Sequence, residues 1–153
     1  MNRRLAFAAL LACPALAACG GSDADRPAPP APPLSDAEQV AATVRRQMQA
    51  VARGDGETAC GLFSPKALRE AEAEVSRRAG NIGCGTAVEQ GASGLSTGVR
   101  AALRRPAITR IEVRKNRATV EIRLPAGLTT RDSARLPLRR TGDGWRVDGL
   151  PPL

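Results

Sequence analysis

The sequence predicts an α+β domain, with helices in its first part and an antiparallel meander in its second. Three observations carry this. Apolar residues recur at helical spacing through residues 36–79. After Pro106 the period becomes two: Ile111 and Val113 alternate with Arg110, Glu112 and Arg114, and Val120, Ile122 and Leu124 with Thr119, Glu121 and Arg123. Between these runs stands Lys115-Asn116, which can supply a tight turn because Asn tolerates positive φ. The expected plan is N-terminal helices packed on one face of a sheet of about four strands, over residues 35–153.

Ser35-Asp36-Ala37-Glu38 is a capping box, with Ser35 as N-cap and Glu38 three residues on. The stripe Val40, Val44, Met48, Val51 follows, and Gly54-Asp55-Gly56 ends a helix over about 36–53. Glu57–Phe63 reads as a short helix presenting Cys60, Leu62 and Phe63. Ser64-Pro65 opens the next, since Ser caps well and Pro suits the first helical position. Leu68, Ala71, Val75 and Ala79 form its stripe. Arg77 and Arg78 lie near its end, where the helix dipole favours cations. Cys84–Gln90 and Ser96–Arg105 read as two short helices around Gly91–Gly94. The glycines here do not make a phosphate loop. No lysine follows them in the Walker pattern and no strand precedes them, so small-residue packing accounts for them better.

In the hairpin, a two-residue loop pairs Val113 with Ala118, Ile111 with Val120 and Arg110 with Glu121. That register collects the apolar side chains on one face. Pro125–Thr129 is a connection. A third strand is expected over about 130–139, with Ala134, Leu136 and Leu138 inward. Thr141–Gly144 turns, and Trp145–Asp148 is a last strand with Trp145 and Val147 inward.

What precedes the domain sets its address. Arg3 and Arg4 come before an apolar run, Leu5–Leu16, shorter than the ~20 residues that span a bilayer. A charged start, an apolar middle and a small-residue exit describe a signal peptide over residues 1–18. The exit, Leu16-Ala17-Ala18-Cys19, resembles the lipobox of bacterial lipoproteins. The resemblance implies cleavage before Cys19 and a lipid on its sulfur. The expected location is then the extracytoplasmic face of the cell membrane. Residues 19–34 form a Pro/Gly-rich tether that cannot bury enough apolar area to order itself. At ~3.1 Å per residue it can hold the domain up to roughly 40 Å from the bilayer.

Cysteine usage follows from that address. Cys13 leaves with the leader and Cys19 takes the lipid. Cys60 and Cys84 remain, and an even remainder outside the cytoplasm argues for a disulfide. A redox or metal pair is the weaker alternative, because there is no Cys-x-x-Cys and no His.

The helix order, the Cys60 and Cys84 segments, the hairpin and the closing Gly144-Trp145-Arg146-Val147-Asp148-Gly149-Leu150 resemble small NTF2-like (cystatin-like) lipoproteins of actinobacteria. The resemblance implies a curved sheet wrapping a long helix around a conical pocket. Phe63, Ile111, Val113, Val120, Ile122, Leu136 and Trp145 are the candidates to line it. NTF2-like enzymes place an acid, a tyrosine or a histidine in that pocket. This chain has no Tyr and no His, and by parity Glu112, Glu121 and Asp148 point outward. Asp55 and Glu57 could border the pocket, but a turn and a helix start explain them.

The chain is therefore not expected to be an enzyme, and neither cofactor nor metal is expected. The first expectation is a lipid-anchored envelope protein whose domain binds a small apolar ligand or an envelope protein, or serves structurally, as a monomer. The net charge of +8 is concentrated after residue 100. This opens an alternative, an Arg-rich sheet face that binds anionic lipid or cell-wall polymer. An atypical NTF2-like enzyme is the other. Nucleic acid is disfavoured by export and by the shortage of aromatics for stacking.

Overall fold

A capping box starts α1 (Asp36–Arg53). Ser35 Oγ accepts from Glu38 N at 3.3 Å, and Glu38 Oε2 accepts from Ser35 N at 2.8 Å. Gly54 ends the helix at φ 71°, a left-handed conformation in which a Cβ would be strained. The computed structural model describes residues 32–124 and 132–150. The leader, Cys19 and nearly all of the tether lie outside the described residues, as does the Pro125–Thr129 connection. Residues from Pro33 onward form one unit, Pro33–Leu153.

Four further helices follow: α2 (Gly56–Gly61), α3 (Pro65–Ala79), α4 (Cys84–Ser93) and α5 (Thr97–Arg104). Asp55 caps α2, its Oδ1 accepting from Thr58 N at 3.0 Å, which pulls the helix start back to Gly56. Phe63, expected on this helix, lies beyond it in an extended bridge to Val147. Ser64 caps α3 with Pro65 at the first position. Helix α4 runs three residues past Gln90, through Gly91, and thereby buries Ala92.

The strands are β1 (Ala107–Arg114), β2 (Arg117–Arg123), β3 (Ser133–Thr141) and β4 (Gly144–Val147). They form an open antiparallel sheet in the order β1-β2-β3-β4. Among the described residues the fold is α+β, five helices with a four-stranded sheet. The hairpin has the expected register: Val113 opposite Ala118, Ile111 opposite Val120, Arg110 opposite Glu121. Two details differ. The left-handed turn residue is Lys115, at φ 55°, rather than Asn116. The register also shifts between Ile108 and Arg110, a bulge at Thr109 that returns Ile108 to the apolar cluster. Strand β3 reaches Thr141, beyond the expected 139. Thr141 pairs with Gly144 and its Oγ1 donates to Gly144 O at 3.0 Å, so the turn shrinks to Gly142-Asp143.

The core lies between α1 and one face of the sheet. Val40 and Val44 are fully buried against Ala118, Val120, Ile122, Ala134, Leu136, Leu138, Trp145 and Val147. Burying each large apolar side chain contributes roughly 1.5–3 kcal/mol. A satellite cluster of Ala52, Val99 and Leu103 seats α5 against α1. Cys60 and Cys84 form a disulfide, with Cα atoms 6.2 Å apart, tying α2 to the first turn of α4.

The α2–α4 contact depends on a glycine. A Cβ on Gly56 would stand 2.6 Å from Gly85 Cα, whereas one on Gly85 meets nothing closer than 3.7 Å. The Gly83-Cys84-Gly85 segment thus serves close backbone approach. Gly56→Ala is expected to cost about 2–3 kcal/mol, because backbone rather than a flexible side chain must move. Gly85→Ala is expected to be neutral or slightly stabilising, since Ala favours a helix. Urea unfolding of the two variants checks this contrast. Reducing the 24-residue disulfide loop is expected to lower stability by roughly 3 kcal/mol in the same assay.

Candidate functional site

The seven residues expected to line a pocket are brought together, and they form part of the core. Val120, Ile122, Leu136 and Trp145 belong to the buried cluster beneath α1, and Phe63, Ile111 and Val113 pack against it half-buried. Strand alternation and the α1 stripe together produce this apolar interface.

Of the seven, Trp145 borders an open groove of about 600 Å³ beside the core. Gln39, Thr43 and Arg46 of α1 form one wall, Glu57 and Thr58 of α2 another, and Trp145 and Arg146 of β4 a third. Thr43 Oγ1 donates to Gln39 O at 3.0 Å within its own helix. The lining mixes two carboxylates, Glu57 and Asp143, with two guanidiniums, Arg46 and Arg146, which suits recognition of a polar surface better than enclosure of an apolar molecule. Among the described residues no group of three or more His, Cys, Asp or Glu side chains could hold a metal ion.

One carboxylate has a role that strand parity did not reveal. Asp148 follows β4 on the outer side, yet its side chain is only 15% exposed. Ser64 Oγ donates to its Oδ1 at 2.6 Å, and Arg139 Nε donates to its Oδ2 at 3.1 Å. The same Ser64 Oγ accepts from Ala67 N at 3.2 Å and so caps α3. Ser64 N donates to Val147 O at 2.7 Å, and Val147 N to Leu62 O at 2.9 Å. Asp148 is therefore a structural clamp between the α2–α3 connection and the sheet edge. Burial by itself would raise its pKa, but the Ser64 hydroxyl and the Arg139 guanidinium outweigh burial and hold the carboxyl below its ordinary value. An acid kept ionised in this way is a poor general base at neutral pH.

The outer face of the sheet carries charge in cross-strand rows. One row is mixed, Arg110 opposite Glu121 opposite Arg135. Nearer the β1–β2 and β3–β4 turns, Arg114 faces Arg117, Arg117 faces Arg139, and Arg139 faces Arg146. Four arginines thus lie side by side across all four strands. Alternation marks Arg114 as outward, but only the register across β2, β3 and β4 shows that the four align.

Compared with known proteins, the chain matches no family model, and no curated protein matches it.

Because the pKa of Asp148 is depressed in the fold, its contribution is present above the unfolded carboxyl range and is lost as pH falls through the folded value. Asp148→Asn is expected to cost about 1–3 kcal/mol at pH 7 and to flatten the loss of stability below about pH 4. Denaturation at neutral and acid pH, compared with the parent chain, checks both parts.

Proposed function

We propose that the chain is an exported, lipid-anchored cell-envelope protein whose domain, NTF2-like in plan, has a non-enzymatic binding or structural role. The observation that carries the second half is the occupancy of the sheet's inner face. Its apolar side chains are spent on α1, with Leu136, Leu138, Val120 and Val147 at most 2% exposed. An enzyme of this plan would hold reactive groups between helix and sheet, where this chain places aliphatic side chains and Trp145. Asp148, on the outer side just past β4 and largely buried there, is committed to Ser64 and Arg139. Surface recognition of an envelope protein or membrane fits this arrangement better than enclosure of a small apolar ligand.

The address rests on Leu16-Ala17-Ala18-Cys19 and on the proline-rich segment after it. Two or more acyl chains on Cys19 would anchor stably, since each buried CH₂ contributes roughly 0.8 kcal/mol. Expressed in a bacterium that processes lipoproteins, the parent chain is expected to enter the detergent phase on Triton X-114 partition. Its N-terminal peptide should begin at a lipid-modified Cys19. Cys19→Ser is expected to carry no lipid and to stay uncleaved before residue 19, keeping its apolar leader. A parent chain whose Cys19 is unmodified, or a variant cleaved before residue 19 like the parent, would sink the anchor.

A further inference from the structure

We propose that the Arg114–Arg117–Arg139–Arg146 row, with Lys115, is a docking surface for an anionic lipid bilayer. Like charges directly opposite one another on neighbouring strands destabilise a sheet. Two members of the row have local relief. Arg139 is held by Asp148 at 3.1 Å, and Arg146 lies 3.7 Å from Asp143 and donates to Gly61 O. Arg114 and Arg117 face each other with no ion pair among the described residues, and Lys115 stands exposed in the turn between them. Glu112, one step inward, is engaged by Arg110 at 2.7 Å. The uncompensated charge is therefore concentrated at one end of the sheet, at the tip of the hairpin.

The chain enters the domain at that same end. Asp36, in the first turn of α1, accepts from Arg140 at 2.8 Å, and Arg140 N donates to Asn116 O at 2.8 Å. The first turn of α1, the β1–β2 turn and the end of β3 are thus neighbours. Leu34, 57% exposed, stands just before that turn. Any membrane anchor upstream of Leu34 consequently presents the basic end first. The row spans four strands, roughly 15 Å at ~4.8 Å per strand. Its exposed and half-exposed guanidiniums are spread over all four strands, and the open hollow of about 390 Å³ beside Arg114 and Arg117 also holds the Glu112 carboxylate, which matches the field of a charged surface rather than a single bound anion.

The inference builds on the lipid-anchor reading in one respect. A tether of this length would hold the domain at a roughly millimolar effective concentration near the bilayer. Weak contacts then suffice, because each Arg or Lys near an anionic leaflet strengthens binding about fivefold. The row itself does not depend on the anchor and is tested without it.

The test uses residues 20–153, which retain the whole Pro33–Leu153 unit and its disulfide but lack Cys19. Vesicles with about 30 mol% phosphatidylglycerol are compared with purely zwitterionic ones. Cosedimentation is expected with the anionic vesicles at about 25 mM salt and is expected to vanish by about 300 mM. R114Q/R117Q is expected to weaken binding about 30-fold. R110Q/R135Q, in the mixed row, should bind within about threefold of the parent, and so should R114K/R117K, because a diffuse field reads charge rather than guanidinium shape. Circular dichroism of each variant shows whether it is folded, and the lysine variant keeps the comparison valid if glutamine disturbs the hairpin. No vesicle binding at low salt, equal loss from both glutamine pairs, or binding to soluble polyphosphate but not to vesicles would overturn the proposal. Vesicle binding by this chain together with an unmodified Cys19 in the parent would remove the anchor and leave the docking surface standing.

Discussion

Val40 and Val44 meet the inner face of the sheet with no exposed surface, and most of the structure depends on that contact. They lie one turn apart on α1, so one narrow stripe touches several strands. Val120, Leu136, Leu138 and Val147 cover the stripe from below. A one-residue slip in any pairing would turn those side chains to solvent. The interface therefore sets the strand register as well as the position of the helix. It also uses the surface that a ligand pocket of this plan would need.

The sheet has two edges and treats them differently. Beside β4, the Leu62–Ser64 connection bonds to Val147 and covers the strand's free side. Ser64 does several things there: it caps α3, anchors to Val147 and donates to Asp148. The clamp joins residues 84 apart in sequence. On the other side, β1 is the remaining edge, with a bulge at Thr109 and charged Arg110 and Arg114. Bulges and charges on an edge strand discourage pairing with another chain.

Polar chemistry in the domain is directed at structure and surface. Asp55 and Ser96 cap helices, Ser35 and Glu38 form a reciprocal box, and Asp148 is a clamp. Arg140 lies 5.9 Å over the Trp145 ring while reaching Asp36, so it covers the core at the end where the chain enters. At the hairpin tip Arg114, Lys115 and Arg117 are exposed and make no ion pair among the described residues.

The sequence by itself determined the starts of α1 and α3, the hairpin register and the inward residues of β2, β3 and β4. These are local properties, set by capping residues and by spacings of two and 3.6. Counting the thiols pointed to Cys60 and Cys84 as a pair, and the disulfide joins them. The tertiary structure alone decided three matters. It buried Val120, Ile122, Leu136 and Trp145 beneath α1, because burial depends on how far two surfaces approach, and no alternation encodes that distance. It drew Asp148 to Ser64 and Arg139, because parity assigns a face but not a partner. It aligned Arg114, Arg117, Arg139 and Arg146 in one row, because each strand's pattern is silent about which residue its neighbour places opposite. Interleaved Glu and Arg suggested a balanced outer face. Register, a relation between strands, separated the charges and left one end of the sheet basic.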